Sequence, residues 1–289
     1  MSDRYVVVDS PDDPRLDQFR LRERELRPKR VPARVTKNMP FHEVERVASG
    51  SFVAEGDLVV ERALAAGCQV QAVLTDADEP ASVCDLVGDD VPMYAATSEA
   101  RRMLTGLGVA LDVIALFERP SSRALPDVVR AARHVLVLED VDNPTNVGAI
   151  VRSAVALGAH GLILDRNSAD PLSRRALRVS MGTALSLPTA RVDDLGDALA
   201  ALKSDGFTSF GLTPAPDSLD LDEAALAARG RLALVMGSER DGLSGRLMAA
   251  VDHRVRIPMS EGVDSLNVAA AAAVACYALL GRSRTELDD

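Results

Sequence analysis

Three loops in the second half of the sequence combine glycines with polar side chains, each where an apolar run ends and a helical pattern begins. Their candidate functional residues are, in chain order, Asn146, Gly148 and Arg152; Gly237, Glu239 and Gly242; and Ile257, Ser265, Leu266 and Asn267. Glycine allows a backbone to approach a ligand closely. Amide, carboxylate and guanidinium groups can orient a ligand or move a proton. The pattern therefore predicts a binding site assembled from three loops.

Helix capping explains part of each loop. Asn143 before Pro144 is typical of a helix start, and Ser244 and Ser265 are placed to cap the helices that follow them. Capping leaves Asn146, Gly148 and Arg152 unexplained as a group. An asparagine in the first turn of a helix, as expected for Asn267, is poor helix chemistry and indicates another task. Glu239 has an alternative structural interpretation, an ion pair with Arg152 or Arg240.

The elements that position these loops alternate between strand and helix. Apolar runs predict strands at residues 135–138, 162–164, 209–212, 232–236 and 255–257. Helical periodicity predicts helices at residues 145–157, 172–180, 195–203, 221–228, 244–250 and 267–280. Such alternation favours an α/β fold with a parallel sheet, whose ligands lie at the carboxyl ends of the strands.

The first half predicts a smaller α/β unit. Residues 57–67 form an amphipathic helix pattern with Asp57 as its capping residue and Gly67 as its end. Strands are expected at residues 70–74, 91–94 and 109–117 around a helix at residues 97–104. Residues 118–126 contain two prolines and two serines, as a linker does. We therefore expect a first domain over residues 1–120 and a second over residues 121–289.

Composition excludes several classes of protein. The 289 residues are 47% hydrophobic and carry 43 acidic against 33 basic side chains, a net charge of −10, which argues against disorder. Three cysteines without a close pair provide neither a disulfide framework nor a zinc ribbon, and no metal site is expected. No stretch is long and apolar enough for a membrane span, and we expect an intracellular, cytoplasmic protein.

Positive charge is concentrated in one segment. Residues 20–37 hold eight basic and two acidic residues, a net +6 within an acidic chain. Two interpretations stay open, a solvated tail and an arm that contacts the phosphates of a polyanion. Arg174, Arg175 and Arg178 offer a second basic group, for which a solvated helix face is the simpler interpretation. The four histidines are isolated in the sequence, and we assign them no chemistry.

The three loops together resemble the motifs of the SpoU (TrmH) family of RNA ribose methyltransferases, within the SPOUT superfamily. The matching stretches are Asn146-x-Gly148-x-x-x-Arg152, Gly237-x-Glu239-x-x-Gly242, Ile257-Pro-Met and Ser265-Leu-Asn-Val. Ser180-Met-Gly-Thr, leading to Leu187-Pro188, resembles a further family segment. Phe52-Val-Ala-Glu-Gly56 is similar to the start of the small RNA-binding domain, itself similar to kink-turn-binding ribosomal proteins, that precedes the catalytic domain in many members.

The resemblance implies a deep trefoil knot in the second domain, S-adenosylmethionine as methyl donor, and a homodimer with sites at the subunit interface. It implies cofactor binding by Gly237, Gly242, Ile257 and Leu266, and catalysis by Asn146, Arg152, Glu239, Ser265 and Asn267. Since guanidinium stays protonated, we interpret Arg152 as a donor that positions the ribose or phosphate. A nearby phosphate or Glu239 would then take the hydroxyl proton.

The expected activity is methylation of a ribose 2′-hydroxyl in RNA, with 23S rRNA favoured by the N-terminal domain. Three alternatives remain: a tRNA 2′-O-methyltransferase, a methyltransferase acting on a base, and a non-catalytic RNA- or ribosome-binding protein. The spacing Asn-x-Gly-x-x-x-Arg favours ribose. The intact residues of the three loops favour a catalyst over a binding protein.

Overall fold

The structure, a computed structural model, describes residues 4–27, 39, 50–105, 108–263 and 265–281. The chain divides into two units. Within these described ranges, the first contains residues 4–27 and 50–121 together with Leu172–Ser186, and the second contains Ser122–Pro171 and residues 187–281. The expected second domain was continuous from residue 121, but residues 172–186 pack with the first unit. We describe each unit separately.

The second unit contains a seven-stranded, wholly parallel sheet in the order β10-β12-β9-β11-β6-β7-β8. Its strands are β6 (His134–Leu138), β7 (Gly161–Leu164), β8 (Thr189–Arg191), β9 (Phe207–Leu212), β10 (Leu219–Asp220), β11 (Arg231–Met236) and β12 (His253–Arg256). Strands β6 and β7 are buried at every position, as expected for a sheet with covered faces. The predicted parallel α/β fold is confirmed. Strands β8 and β10 were not predicted.

The described residues of the second unit form six helices, of which four lie between consecutive strands of this sheet. The six are α4 (Leu125–Ala131), α5 (Pro144–Ala156), α7 (Leu195–Ser204), α8 (Leu221–Ala227), α9 (Gly245–Ala250) and α10 (Val268–Leu279). The Asn143 side chain accepts a hydrogen bond from the Thr145 N–H at 2.9 Å, and the Ser244 hydroxyl accepts one from the Leu247 N–H. Both predicted caps are confirmed. Helix α10 packs along α5, which brings the third loop beside the first.

The first unit contains a five-stranded sheet in the order β1-β4-β3-β5-β2. The strands are β1 (Val6–Val8), β2 (Ser51–Glu55), β3 (Val70–Asp76), β4 (Met93–Ala96) and β5 (Val113–Glu118); β2 and β3 run antiparallel to β5, and the other pairs are parallel. Its helices are α1 (Glu23–Leu26), α2 (Asp57–Ala65), α3 (Ser98–Thr105) and α6 (Arg174–Ser180). Gly56, with a φ of +88°, precedes α2 as its N-cap, so Asp57 is the first helical residue and not the expected cap.

The N-terminal residues are part of this fold. Strand β1 pairs with β4, and the core of the first unit includes Leu16, Phe19 and Leu26, each at most 2% exposed. The interpretation as a solvated tail is therefore wrong for residues 20–27, because Leu26 anchors them in the core. The interpretation as a phosphate-contacting segment stays a prediction. Residues 28–37, which complete the predicted basic segment, lie outside the described residues.

Helix α6 is held to the first unit by a buried ion cluster. Glu55, 4% exposed, accepts hydrogen bonds from Arg174 at 2.9 Å and from Arg178. Arg174 also donates to the backbone carbonyl oxygens of Phe19 and Leu21 at 2.6 and 3.2 Å. The interpretation of these arginines as a solvated helix face is wrong for Arg174 and Arg178, because both guanidinium groups pair with the buried carboxylate of Glu55.

Candidate active site

The central strands β12, β9, β11 and β6 are neighbours, so the loops at their carboxyl ends meet at one edge of the sheet. A cavity of about 580 Å³ lies there, within the second unit. Its wall includes Gly237, Glu239 and Gly242 after β11, Ile257 after β12, and Ser265 and Leu266 before α10. The structure thus brings together the second and third predicted loops and all four expected cofactor residues.

The turn after β11 depends on two glycines for different reasons. A Cβ atom at Gly237 would lie 2.1 Å from the carbonyl carbon of Gly242, so this position has no room for a side chain. Gly242 has a φ of +68°, and a Cβ there would meet no protein atom within 4 Å. Ser238 and Gly242 exchange two backbone hydrogen bonds of 3.2 and 3.1 Å, which close the turn. Gly237 allows the close approach of backbone to backbone, and Gly242 allows the left-handed bend.

A chain of hydrogen bonds joins the three loops. The Asn267 side-chain amide donates to the side-chain oxygen of Asn146 at 3.2 Å, and the Asn146 amide donates to a carboxylate oxygen of Glu239. Asn146 is 9% exposed, whereas Glu239 is exposed on the cavity wall. Residues far apart in the sequence therefore form one polar array.

The direction of this chain is fixed by the backbone of α10. The Asn267 side-chain oxygen accepts from the N–H groups of Ala269 and Ala270 at 2.9 and 3.3 Å, and a backbone N–H can only donate. The Asn267 amide group must therefore face Asn146, whose own amide group must in turn face Glu239. The array therefore presents an N–H donor to one carboxylate oxygen of Glu239.

Asn267 is thus the N-cap of α10, and the expectation that Ser265 caps this helix is wrong. Asparagine is among the best N-cap residues because its side-chain oxygen reaches the first free N–H groups. Ser265 is exposed and lines the cavity instead. The inference that Asn267 has a second task agrees with its bond to Asn146.

Arg152 neither lines this cavity nor joins the hydrogen-bonded array, whereas Asn146 and Asn267, which also do not line it, are connected to Glu239 on its wall. Arg152 lies six residues beyond Asn146 on α5, which is about 9 Å along the helix axis and on another face. Its side chain is exposed and makes no hydrogen bond or ion pair with the described part of the chain. The alternative interpretation of Glu239 as a partner of Arg152 or Arg240 is wrong, since Arg240 pairs with Asp142 at 2.7 Å.

Sequence reasoning missed the loop after β9. Leu212, Thr213, Pro214, Ala215 and Pro216 all line the cavity. The signal was present, because these residues follow a predicted strand and the carboxyl ends of parallel strands form ligand sites.

The donor set of the cavity suits an organic ligand. The described residues contain no group of three or more histidine, cysteine, aspartate or glutamate side chains that could hold a metal ion. In the same part of the chain, no helix has the length and apolar character needed to cross a membrane. The close backbone turn and the apolar wall of Leu212, Ile257 and Leu266 fit a nucleoside-sized molecule.

Comparison with known proteins assigns the family. Residues 133–277, which contain all three loops, match the sequence profile of the SpoU rRNA Methylase family. The chain belongs to the SpoU family. An uncharacterised tRNA/rRNA methyltransferase of Mycobacterium tuberculosis is 39% identical over 93% of this chain and 90% of its own length. SpoU members are RNA methyltransferases, so the chain is an enzyme of that class.

Two further relatives are better defined. The 23S rRNA (guanosine(2553)-2′-O)-methyltransferase RlmP of Bacillus subtilis is 28% identical, with coverage of 82% of this chain and 91% of its own. The SpoU methyltransferase AviRb of Streptomyces viridochromogenes, solved with AdoMet bound, superposes with a TM-score of 0.73 at 26% identity. That comparison covers 94% of this chain and 98% of AviRb, so the similarity to SpoU proteins includes both units.

Proposed function

We propose that this SpoU protein transfers a methyl group from S-adenosylmethionine to a ribose 2′-hydroxyl of 23S rRNA in the cytoplasm. The observation that carries this proposal is the directed array from Asn267 through Asn146 to Glu239 at the cavity wall. Such an array holds a proton acceptor in place beside a ligand site. The relation to RlmP supports the choice of 23S rRNA and of the 2′-oxygen.

The cavity fits the cofactor. The close turn at Gly237 and Gly242 and the backbone at Ile257 and Leu266 would hold the adenosine part, as polar main-chain groups do in small-molecule sites. When bound, S-adenosylmethionine supplies a methyl group on a positively charged sulfur, which a ribose oxygen can displace. AviRb, which binds AdoMet, supports this assignment.

Glu239 takes the hydroxyl proton in this proposal. One of its carboxylate oxygens accepts from Asn146, and no hydrogen bond to the other comes from the described residues. A carboxylate with one oxygen engaged and one open is oriented without being saturated. Removal of the proton makes the ribose oxygen a better nucleophile. Ser265, on the same wall, is placed to orient the ribose.

Arg152 acts from a second copy of the chain. Arg152 does not line the cavity of its own chain, which favours a role in the site of a partner subunit. Helix α10 leaves Val274 and Tyr277 42% and 72% exposed, an apolar surface that a homodimer would cover. Arg152 then donates two parallel hydrogen bonds to a phosphate or to the developing ribose oxyanion.

The remaining architecture follows the family. We propose that the chain between β11 and α10 forms the deep trefoil knot; the position of β12 beyond β9 and the return of α10 to α5 are consistent with it. The first unit is proposed to bind the RNA substrate.

The test is the position of the added methyl group. Purified protein is incubated with methyl-labelled S-adenosylmethionine and total RNA from cells that lack the gene. A 2′-O-methyl group blocks alkaline cleavage at one linkage, so we expect a single gap in the ladder of 23S rRNA. A gap in the ladder of a tRNA would identify tRNA as the substrate. An intact ladder from labelled RNA would indicate methylation of a base. RNA binding without incorporation of label would indicate a non-catalytic RNA-binding protein.

The shared site has its own test. Arg152→Ala should bind cofactor normally and lose ~10²–10³ in single-turnover rate, as for the loss of one oxyanion donor. Coexpression with Gly237→Val, whose own cavity is blocked, should restore part of the activity, because a mixed dimer has one intact site. Absence of restoration in a demonstrated mixed dimer would place Arg152 outside the partner's site.

A further inference from the structure

Residues 22–27 of the first unit read Arg-Glu-Arg-Glu-Leu-Arg. Alternating charges of this kind usually neutralise one another on a helix surface. The segment is fixed in place, since Leu26 is 2% exposed and lies in the core of the unit. The backbone that carries its charged side chains therefore has a defined place in the unit.

The two acidic side chains of this segment bind backbone groups. The Glu23 carboxylate accepts from the backbone N–H of Arg174 at 2.9 Å, at the start of α6. The Glu25 carboxylate accepts from the backbone N–H of Arg22 at 2.7 Å. Neither carboxylate forms an ion pair with an arginine of the segment. The acids contribute to docking and leave the arginines unneutralised.

The three arginines are exposed and have no partner in the described part of the chain. The guanidinium groups of Arg22, Arg24 and Arg27 make no hydrogen bond or ion pair with any described residue. Other arginines of the same unit differ, since Arg15 pairs with Asp13 and Arg20 with Asp17. Three unpaired guanidinium groups within six residues are a local positive surface on a chain of net charge −10.

We propose that Arg22, Arg24 and Arg27 form a docking surface for the phosphodiester backbone of the substrate RNA. This inference rests on the proposed function and adds where the RNA is held. Guanidinium groups match phosphate oxygens with two parallel hydrogen bonds, and each contact releases a counterion from the nucleic acid. The surface supplies affinity without base specificity, because phosphates are the same at every nucleotide.

The test uses the full-length protein and 23S rRNA, with affinity measured against salt concentration. In Arg22→Gln/Arg24→Gln/Arg27→Gln the slope of log affinity against log salt should become shallower by about 2–3. Relative to the wild-type protein, affinity should fall by about 100- to 1,000-fold more at 0.1 M salt than at 1 M, since that slope difference acts over one decade of salt. The triple lysine variant keeps the charge and should keep the slope. Arg102→Gln, an exposed and unpaired arginine on α3, is the matched control and should change neither quantity.

The outcomes separate this proposal from the enzymatic one. An unchanged slope in the triple glutamine variant, at unchanged melting temperature and cofactor affinity, overturns the surface and leaves the methyltransferase assignment intact. Arginine-dependent binding of RNA that is never methylated supports the surface and overturns the proposed function. Arginine-dependent binding to nuclease-treated ribosomal proteins, but not to naked RNA, would identify an acidic protein partner and refute the RNA surface.

Discussion

Two glutamates, one in each unit, meet basic or amide donors and differ in how completely they are satisfied. Glu55 is 4% exposed, and both of its carboxylate oxygens are taken by arginines of α6. Glu239 is exposed on a cavity wall, and only one of its oxygens accepts a hydrogen bond within the described residues. A saturated, buried carboxylate has no capacity for a substrate. A carboxylate with one free oxygen at a cavity does.

The donors differ in the same sense. Arginines compensate the charge of Glu55 and hold α6 to the first unit, which is a structural result. A neutral amide, that of Asn146, orients Glu239 through one oxygen and leaves the other free to accept from a ligand. The comparison distinguishes structural from chemical carboxylates, and the predictions for Glu239 and Glu55 each test one side of it.

The largest effect is expected for Glu239→Gln. Glutamine retains an oxygen that accepts from Asn146 but cannot take a proton. The single-turnover rate of methyl transfer should fall by ~10³, about 4 kcal/mol of transition-state free energy. Cofactor affinity and melting temperature should stay the same. Glu261→Gln, an exposed glutamate in the third loop, is the matched control and should retain the wild-type rate.

A double-mutant cycle separates orientation from chemistry at this site. Asn267→Ser can still cap α10, but its hydroxyl cannot replace the amide that holds Asn146. If Asn267 acts through Glu239, its loss should add little to Glu239→Gln. Additive losses in rate would show that the two residues act independently.

The converse effect is expected for Glu55→Gln. Removal of the carboxylate leaves Arg174 and Arg178 without their common counter-charge, and loss of one partner from a buried ion cluster costs roughly 3–5 kcal/mol. We expect the free energy of unfolding of the first unit to decrease by about 3 kcal/mol, the lower end of that range, since the two arginine side chains are 16% and 24% exposed.

Urea denaturation followed by probes in each unit measures this change. Cofactor binding by the second unit should be unaffected. The exposed Glu61→Gln on α2 is the control and should remain within about 0.5 kcal/mol of wild type. Unchanged stability in Glu55→Gln would contradict a structural role for the cluster.

An intermediate effect is expected at the glycine turn. Gly237→Ala places a Cβ atom 2.1 Å from the backbone of Gly242, so the turn must open. Cofactor affinity measured by calorimetry should fall by roughly 100-fold, or ~2.8 kcal/mol. Gly242→Ala introduces backbone strain of only ~1–2 kcal/mol and should have the smaller effect. The reverse order would show that Gly242, and not Gly237, makes the close approach.

Local sequence patterns and family motifs predicted most of the second unit, but they did not predict the side-chain contacts on which the candidate site depends. The strand ends and the glycine turn follow from apolar runs and loop composition. The array does not, because the amide direction at Asn267 depends on backbone groups of α10 and its partner Asn146 is 121 residues away. The packing of α6 with the first unit could not be predicted either, because Arg174 and Glu55 are 119 residues apart and pair only in the folded protein.

The smallest predicted effect concerns a buried polar group outside both clusters. His134 at the start of β6 is 4% exposed, and its Nδ1 atom lies 3.2 Å from the carbonyl oxygen of Gly158. Burial lowers the pKa of His134 and outweighs the opposing effect of the Gly158 carbonyl. The fold therefore disfavours the imidazolium form. As pH falls below ~6.5, the unfolded chain binds a proton that the folded chain does not, and stability decreases. Above that pH both states are neutral and the penalty is absent. The slope from this group cannot exceed about 1.4 kcal/mol per pH unit.

His134→Gln should flatten the fall in unfolding free energy between pH 6.5 and 5, measured by urea denaturation, because glutamine can still donate to Gly158 but does not titrate. An undiminished slope would assign the acid sensitivity to other groups, such as His160, whose pKa is also lowered by burial.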